Sequence, residues 1–128
     1  MLKNKNIILR AVEPEDLKIL YKWENDTHIW SVSNIVVPYS KQLIKDYIKN
    51  YDKDIYTTRQ LRLMIDLIAG NKTVGCVDIF DFDIFHQRAG VGILIDENFR
   101  QKGIATEALQ LLVEYCFSFL KLHQLFCQ

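Results

Sequence analysis

A chain of 128 residues has room for one domain with its own core, and its 49% hydrophobic, 25% charged composition is that of an ordinary soluble globular protein. Sixteen Lys and Arg balance sixteen Asp and Glu, so the basic footprint of a nucleic-acid binder is absent and no nucleic-acid partner is expected. No apolar run approaches the roughly 18 residues of a membrane span and no signal peptide is readable at the N-terminus, so a cytoplasmic setting without membrane contact is the expectation.

In chain order, Ile7-Ile8-Leu9-Arg10 reads as a short strand. Glu13-Pro14-Glu15-Asp16 then looks like a helix start, with proline in the first turn and acids near the positive end of the dipole. Leu17, Leu20, Tyr21 and Glu24 follow at helical spacing. Residues 25–38 have no clean period and read as a loop. Ser40 can cap a second helix with an apolar stripe of Leu43, Ile44, Tyr47 and Ile48, and residues 50–58 form a polar connection.

From Gln60 the period becomes two. Leu61, Leu63, Ile65 and Leu67 alternate with Arg62, Met64, Asp66 and Ile68, the pattern of a strand. Ala69-Gly70-Asn71-Lys72 is a turn, and residues 73–82 form a second strand of a hairpin. Residues 83–88 connect to a third strand, 89–95. The longest helix is expected over about 103–120, with Ala105, Leu109, Leu112, Cys116 and Phe119 along one face and Ala108, Leu111 and Tyr115 broadening it. Residues 122–127 begin a further strand. Cys76, Cys116 and Cys127 have no CxxC spacing and sit in apolar runs, so buried free thiols are expected, with neither a disulfide framework nor a metal site. A meander followed by a strand–helix–strand crossover implies an α/β (α+β) domain over residues 1–128: a mixed, mostly antiparallel sheet flanked by helices.

The junction Phe99-Arg100-Gln101-Lys102-Gly103-Ile104-Ala105-Thr106 lies between an apolar strand and the long helix. Unpaired N–H groups and the dipole at a helix start can hold an anion. Gly103 allows close backbone approach, Ala105 leaves room, Arg100 and Lys102 offer cations, and Thr106 a hydroxyl. The junction therefore suits a phosphate-bearing ligand.

Arg100-Gln101-Lys102-Gly103-Ile104-Ala105 matches [QR]-x-x-G-x-[GA], and with it the chain resembles the GNAT superfamily of N-acetyltransferases. The resemblance extends from Ile7-Ile8-Leu9-Arg10-Ala11-Val12-Glu13-Pro14-Glu15-Asp16 to Gln124. It implies that the loop amides bind the pyrophosphate of acetyl-CoA, and that strand residues 91–95 pair with the pantetheine arm. Ile93, Leu94 and Ile95 would line the thioester. Phe85-His86-Gln87-Arg88-Ala89-Gly90 and the segment from Phe99 to Ala108 are similar to the spermidine N-acetyltransferases, and ribosomal-protein acetyltransferases carry related patterns. Domains of this superfamily usually continue for a few dozen residues more, and the resemblance implies that the part carrying an Asn for pantetheine and a Tyr for the departing thiolate is missing. An apolar strand edge at the end of the chain favours association of copies.

Transfer to an amine requires the amine neutral, so a base is needed. Glu24, Asp78, Asp81 and Asp83 are the available acids. Alternation places Asp78 and Asp81 on opposite faces of their strand, and Glu24 and Asp81 are the residues expected to serve the acceptor, as base or as binders of a polyamine. Each could instead be a solvated surface acid. His86 could act as a base near neutral pH or simply be exposed in its turn. The expected activity is acetyl transfer to a small-molecule or peptide primary amine. The alternative is a non-catalytic module that binds coenzyme A or a protein partner.

Overall fold

The computed structural model of the chain describes residues 2–24, 59–100 and 102–126. The expected second helix and its flanking loops, Gln101 and Cys127 lie outside the described residues. Contacts divide the chain into two compact units, Met1–Ala11 with Asp54–Gln128, and Val12–Lys53.

The first unit holds a five-stranded sheet in the order β1 (Ile7–Ala11), β2 (Leu61–Leu67), β3 (Lys72–Asp83), β4 (Arg88–Ile95) and β5 (Gln124–Phe126). The first four are antiparallel neighbours, and β5 joins β4 in parallel, as a crossover connection requires. The sheet is therefore mixed and mostly antiparallel, as the sequence implies. Helix α2 (Ile104–Glu114) provides the crossover and packs on β1, β3 and β4.

The core lies between α2 and one face of the sheet. Leu63, Ile65, Val77, Ile79, Phe82 and Ala89 meet Ile104, Ala108, Leu111, Leu112 and Cys116. Burying each large aliphatic side chain there contributes roughly 1.5–3 kcal/mol. Met64 and Cys76, paired on the opposite face, are buried as well, so β2 is more than a one-sided amphipathic strand.

Three irregularities depart from simple periods. Between Ile65 and Asp66 the register shifts and leaves Val74 as an extra residue, whose carbonyl accepts a bond from Asp96 N at 2.7 Å. Between Phe80 and Asp83 it shifts again, and Asp81 takes a left-handed backbone with φ of 49°. This bulge returns Phe82 to the core face three residues after Ile79. Strict alternation, and with it the opposite-face placement of Asp78 and Asp81, fails there. Finally, the long helix becomes a π-helical turn at Tyr115–Phe119. The wider turn delays the return to the buried face, so Phe119, expected on the apolar stripe, is 64% exposed, while Leu120 packs against the core.

In the second unit, Pro14–Asp16 form a 3-10 turn that leads into α1 (Leu17–Glu24). Asp16 Oδ2 accepts from Glu13 N at 2.8 Å, satisfying a donor just ahead of the turn. Leu20 and Trp23 are buried. No helix among the described residues is long and apolar enough to cross a membrane.

Candidate functional site

The site begins where β4 loses its second neighbour. Residues Arg88, Ala89 and Gly90 pair with Gln124, Leu125 and Phe126 of β5. Beyond Gly90 that edge of β4 has no strand partner among the described residues. Asp96 N points to β3, where it meets Val74 O, so alternation turns the Ile95 carbonyl to the open edge. There it accepts from Arg100 Nε at 3.1 Å.

An aromatic corner marks the point where the two strands part. The Phe80 ring covers Gly90 so closely that a Cβ there would fall 2.2 Å from it, so any larger residue would have to displace the ring. Phe126 meets Phe80 edge-on at 5.8 Å between centroids, and the Arg88 guanidinium lies 5.2 Å from the centre of the Phe126 ring.

From Ile95 the chain enters a short 3-10 turn, Glu97–Phe99, closed by Asp96, whose side chain accepts from Asn98 N at 3.0 Å. Gly103 then takes a left-handed conformation with φ of 77°, immediately before α2. No side chain caps this helix start, so its first N–H groups lack the usual acceptor. The space where a Gly103 side chain would stand is open. Lys102, Gly103 and Thr106 are exposed, and Ala105 is half-buried. Ile104 is buried in the core, so only its backbone is available to a ligand.

Two lysines near this start have no ion-pair partner among the described residues. Lys102 Nζ lies 5.6 Å from the centre of the Phe99 ring, and Lys72 Nζ, from the first residue of β3, lies 5.1 Å from the same ring. Lys72 has no signal in the local pattern, because its approach depends on the hairpin register. The nearest acid on the helix, Glu107, is already bonded through Oε1 to Asn4 Nδ2 at 3.0 Å and Asn6 Nδ2 at 2.8 Å.

Ile93, Leu94 and Ile95 are all half-buried on β4. Ile93 and Ile95 pack toward the core under α2. Leu94 stands opposite Cys76.

The acids differ in how free they are. Asp78 receives Arg62 Nε at 2.6 Å and Nη2 at 3.0 Å, a bidentate pair that commits both oxygens. Asp83 Oδ1 accepts from Phe85 N and His86 N, and Oδ2 lies 2.8 Å from His86 Nδ1, so this acid and histidine together close the β3–β4 turn. The bond from the His86 ring holds the Asp83 carboxyl below the usual aspartate range. Asp81 is exposed at the bulge. Glu24 ends α1, in the other compact unit.

Cys76 and Cys116 are buried and in no disulfide among the described residues. Burial pushes the Cys116 thiol up to about 11, which keeps it neutral and unreactive at physiological pH. Among the described residues, no group of three or more His, Cys, Asp or Glu is placed to hold a metal.

Comparison with known proteins gives this junction a context. A family model described as an acetyltransferase (GNAT) domain matches residues 6–128. Spermidine N(1)-acetyltransferase from Escherichia coli strain K12 is 26% identical over 121 residues, which cover 94% of this chain and 62% of the E. coli protein. Spermidine N(1)-acetyltransferase from Vibrio cholerae is 25% identical over 123 residues, covering 96% of this chain and 69% of that protein. The crystal structure of the V. cholerae spermidine N-acetyltransferase in complex with CoA and spermine superposes with a TM-score of 0.83 at 25% identity, covering 97% of this chain and 71% of that one.

Proposed function

Because the chain belongs to the acetyltransferase (GNAT) family, we propose that it is an N-acetyltransferase, moving the acetyl group of acetyl-CoA to a primary amine. The carrying observation is the junction: a β4 edge without a strand partner beyond Gly90 runs by a short loop into a helix start that no side chain caps. In this reading the amides of Gly103, Ile104, Ala105 and Thr106, with Arg100, Gln101 and Lys102, hold the pyrophosphate of the coenzyme. Arg100 spends one of its five donors on Ile95, leaving others for phosphate oxygens. Ile93, Leu94 and Ile95 offer the open edge to the pantetheine arm, and a backbone N–H there stabilises the charge that develops on the thioester oxygen.

The acceptor amine attacks the thioester carbonyl directly, forming the new C–N bond as the C–S bond breaks, and must first lose a proton. Glu24 and Asp81 are assigned to the acceptor, as base or as carboxylates that attract a polyamine. A polyamine such as spermidine is the favoured acceptor, supported by the likeness to spermidine N(1)-acetyltransferases, and a protein N-terminal amine is the other. Association of copies belongs to the same reading, through the outer edge of β5. So does a reducing, cytoplasmic setting, in keeping with the buried thiols of Cys76 and Cys116. No metal, nucleic acid or membrane has a part in it.

A calorimetric titration with coenzyme A, paired with thiol release over spermidine, a peptide amine and an aminoglycoside, tests this reading. Binding with turnover of at least one amine is expected, and absence of coenzyme binding would overturn it. Binding without thiol release from any amine would favour a second reading, a coenzyme-binding module without turnover. The commitment of Asp78 to Arg62 and of Asp83 to His86 supports that alternative, since neither is free to act as a base.

A further inference from the structure

We propose that Lys72 is a phosphate-binding residue of the coenzyme site, clamping a phosphate of the ligand together with Lys102 beside the Phe99 ring. This rests on the reading of the loop given above, and extends it to an element outside the loop.

Two ammonium groups from distant parts of the sequence converge on one half-buried ring, at 5.1 Å and 5.6 Å from its centre. Attraction to the ring holds each cation only weakly, and like charges repel each other. An anion between them would turn that repulsion into attraction. Three acids of the adjoining elements are engaged elsewhere: Asp66 holds Arg10 and Thr73, Asp96 caps the 3-10 turn, and Glu107 holds Asn4 and Asn6, while Glu97, in the same turn as Phe99, is exposed. Neither lysine forms an ion pair among the described residues.

The approach of Lys72 is built into the sheet. Its partner Leu67 sets its place in the hairpin, and two residues on, Val74 O accepts the Asp96 N–H at 2.7 Å. That bond ties the beginning of β3 to the residue that starts the turn ending in Phe99. Lys102 stands just before the helix start, and Lys72 reaches the same Phe99 ring from β3, so the two cations approach this ring from two elements.

The test is titration of the 128-residue chain with coenzyme A and with 3′-dephospho-coenzyme A, at about 50 mM and 200 mM salt. Lys72→Ala should weaken coenzyme A binding about five- to tenfold at the lower salt and less at the higher, with Lys72→Arg close to wild type. Loss seen with both ligands assigns Lys72 to the pyrophosphate, and loss confined to coenzyme A assigns it to the ribose phosphate. A Lys72→Ala affinity within twofold of wild type overturns this proposal and leaves the loop reading standing, as does an equal loss in Lys121→Ala, a change at an exposed lysine elsewhere. Failure of the unaltered chain to bind coenzyme A overturns both.

Discussion

Gly103 concentrates two separable effects in one residue. Its φ of 77° lies in the left-handed region, and nothing within 4 Å would obstruct a side chain there. Alanine therefore meets only the backbone cost of that conformation, roughly 1–2 kcal/mol. Gly70, in the β2–β3 turn, has a φ of 81° and equally open surroundings. Gly103→Ala and Gly70→Ala should lower unfolding free energy in urea by similar amounts, while only Gly103→Ala weakens coenzyme A binding, by more than tenfold. Equal affinity in the two variants would show that the helix start does not contact the ligand. Gly103 was readable in the sequence because its role is local, set by a strand, a six-residue motif and a helix. Lys72 and the Asn4–Glu107–Asn6 contacts were not readable, since each joins residues that only the folded register brings together.

Elements were legible where a period continues without interruption. Alternation marks β2, the Gly70-Asn71 pair marks the turn, and the apolar repeat marks the body of α2. The two bulges and the π turn were not, because an inserted residue leaves composition unchanged and shifts only the phase. The phase of β3 past Phe80 and the exposure of Phe119 were misread for that reason. The fixing of α2 at its first turn was likewise hidden: Asn4 and Asn6 both donate to one oxygen of Glu107. Asn6→Ala should cost about 0.5–1.5 kcal/mol, and Asn4→Ala more, because Asn4 Oδ1 also accepts from Asn6 N and Ile7 N, both at 2.8 Å. Glu107→Ala should cost less than the double substitution, since it removes only the two bonds to its own carboxylate. A neutral Glu107→Ala in urea unfolding would mean that the N-terminal residues are not held to α2 in solution.

At the scale of the whole molecule, the sheet order puts β1 and β5 at its two margins among the described residues. β5 carries half-buried Leu125 and Phe126 beside exposed Gln124. Such an edge is a template for another strand, and a lysine on it discourages pairing. Light scattering across a range of concentrations should detect association that Gln124→Lys reduces, with coenzyme A binding retained. Unchanged association in that variant would move the contact between copies away from β5.

The brevity of the β4–β5 pairing also orders the events of folding. The hairpins β2–β3 and β3–β4 join neighbours in sequence and close small loops, whereas Arg88 can meet Gln124 only after the whole of α2 has folded back over the sheet. The antiparallel meander can therefore assemble early and the parallel strand last. Among the described residues three pairs hold β5, against seven between β2 and β3, so amide hydrogens in β5 should exchange ahead of those in β2 and β3.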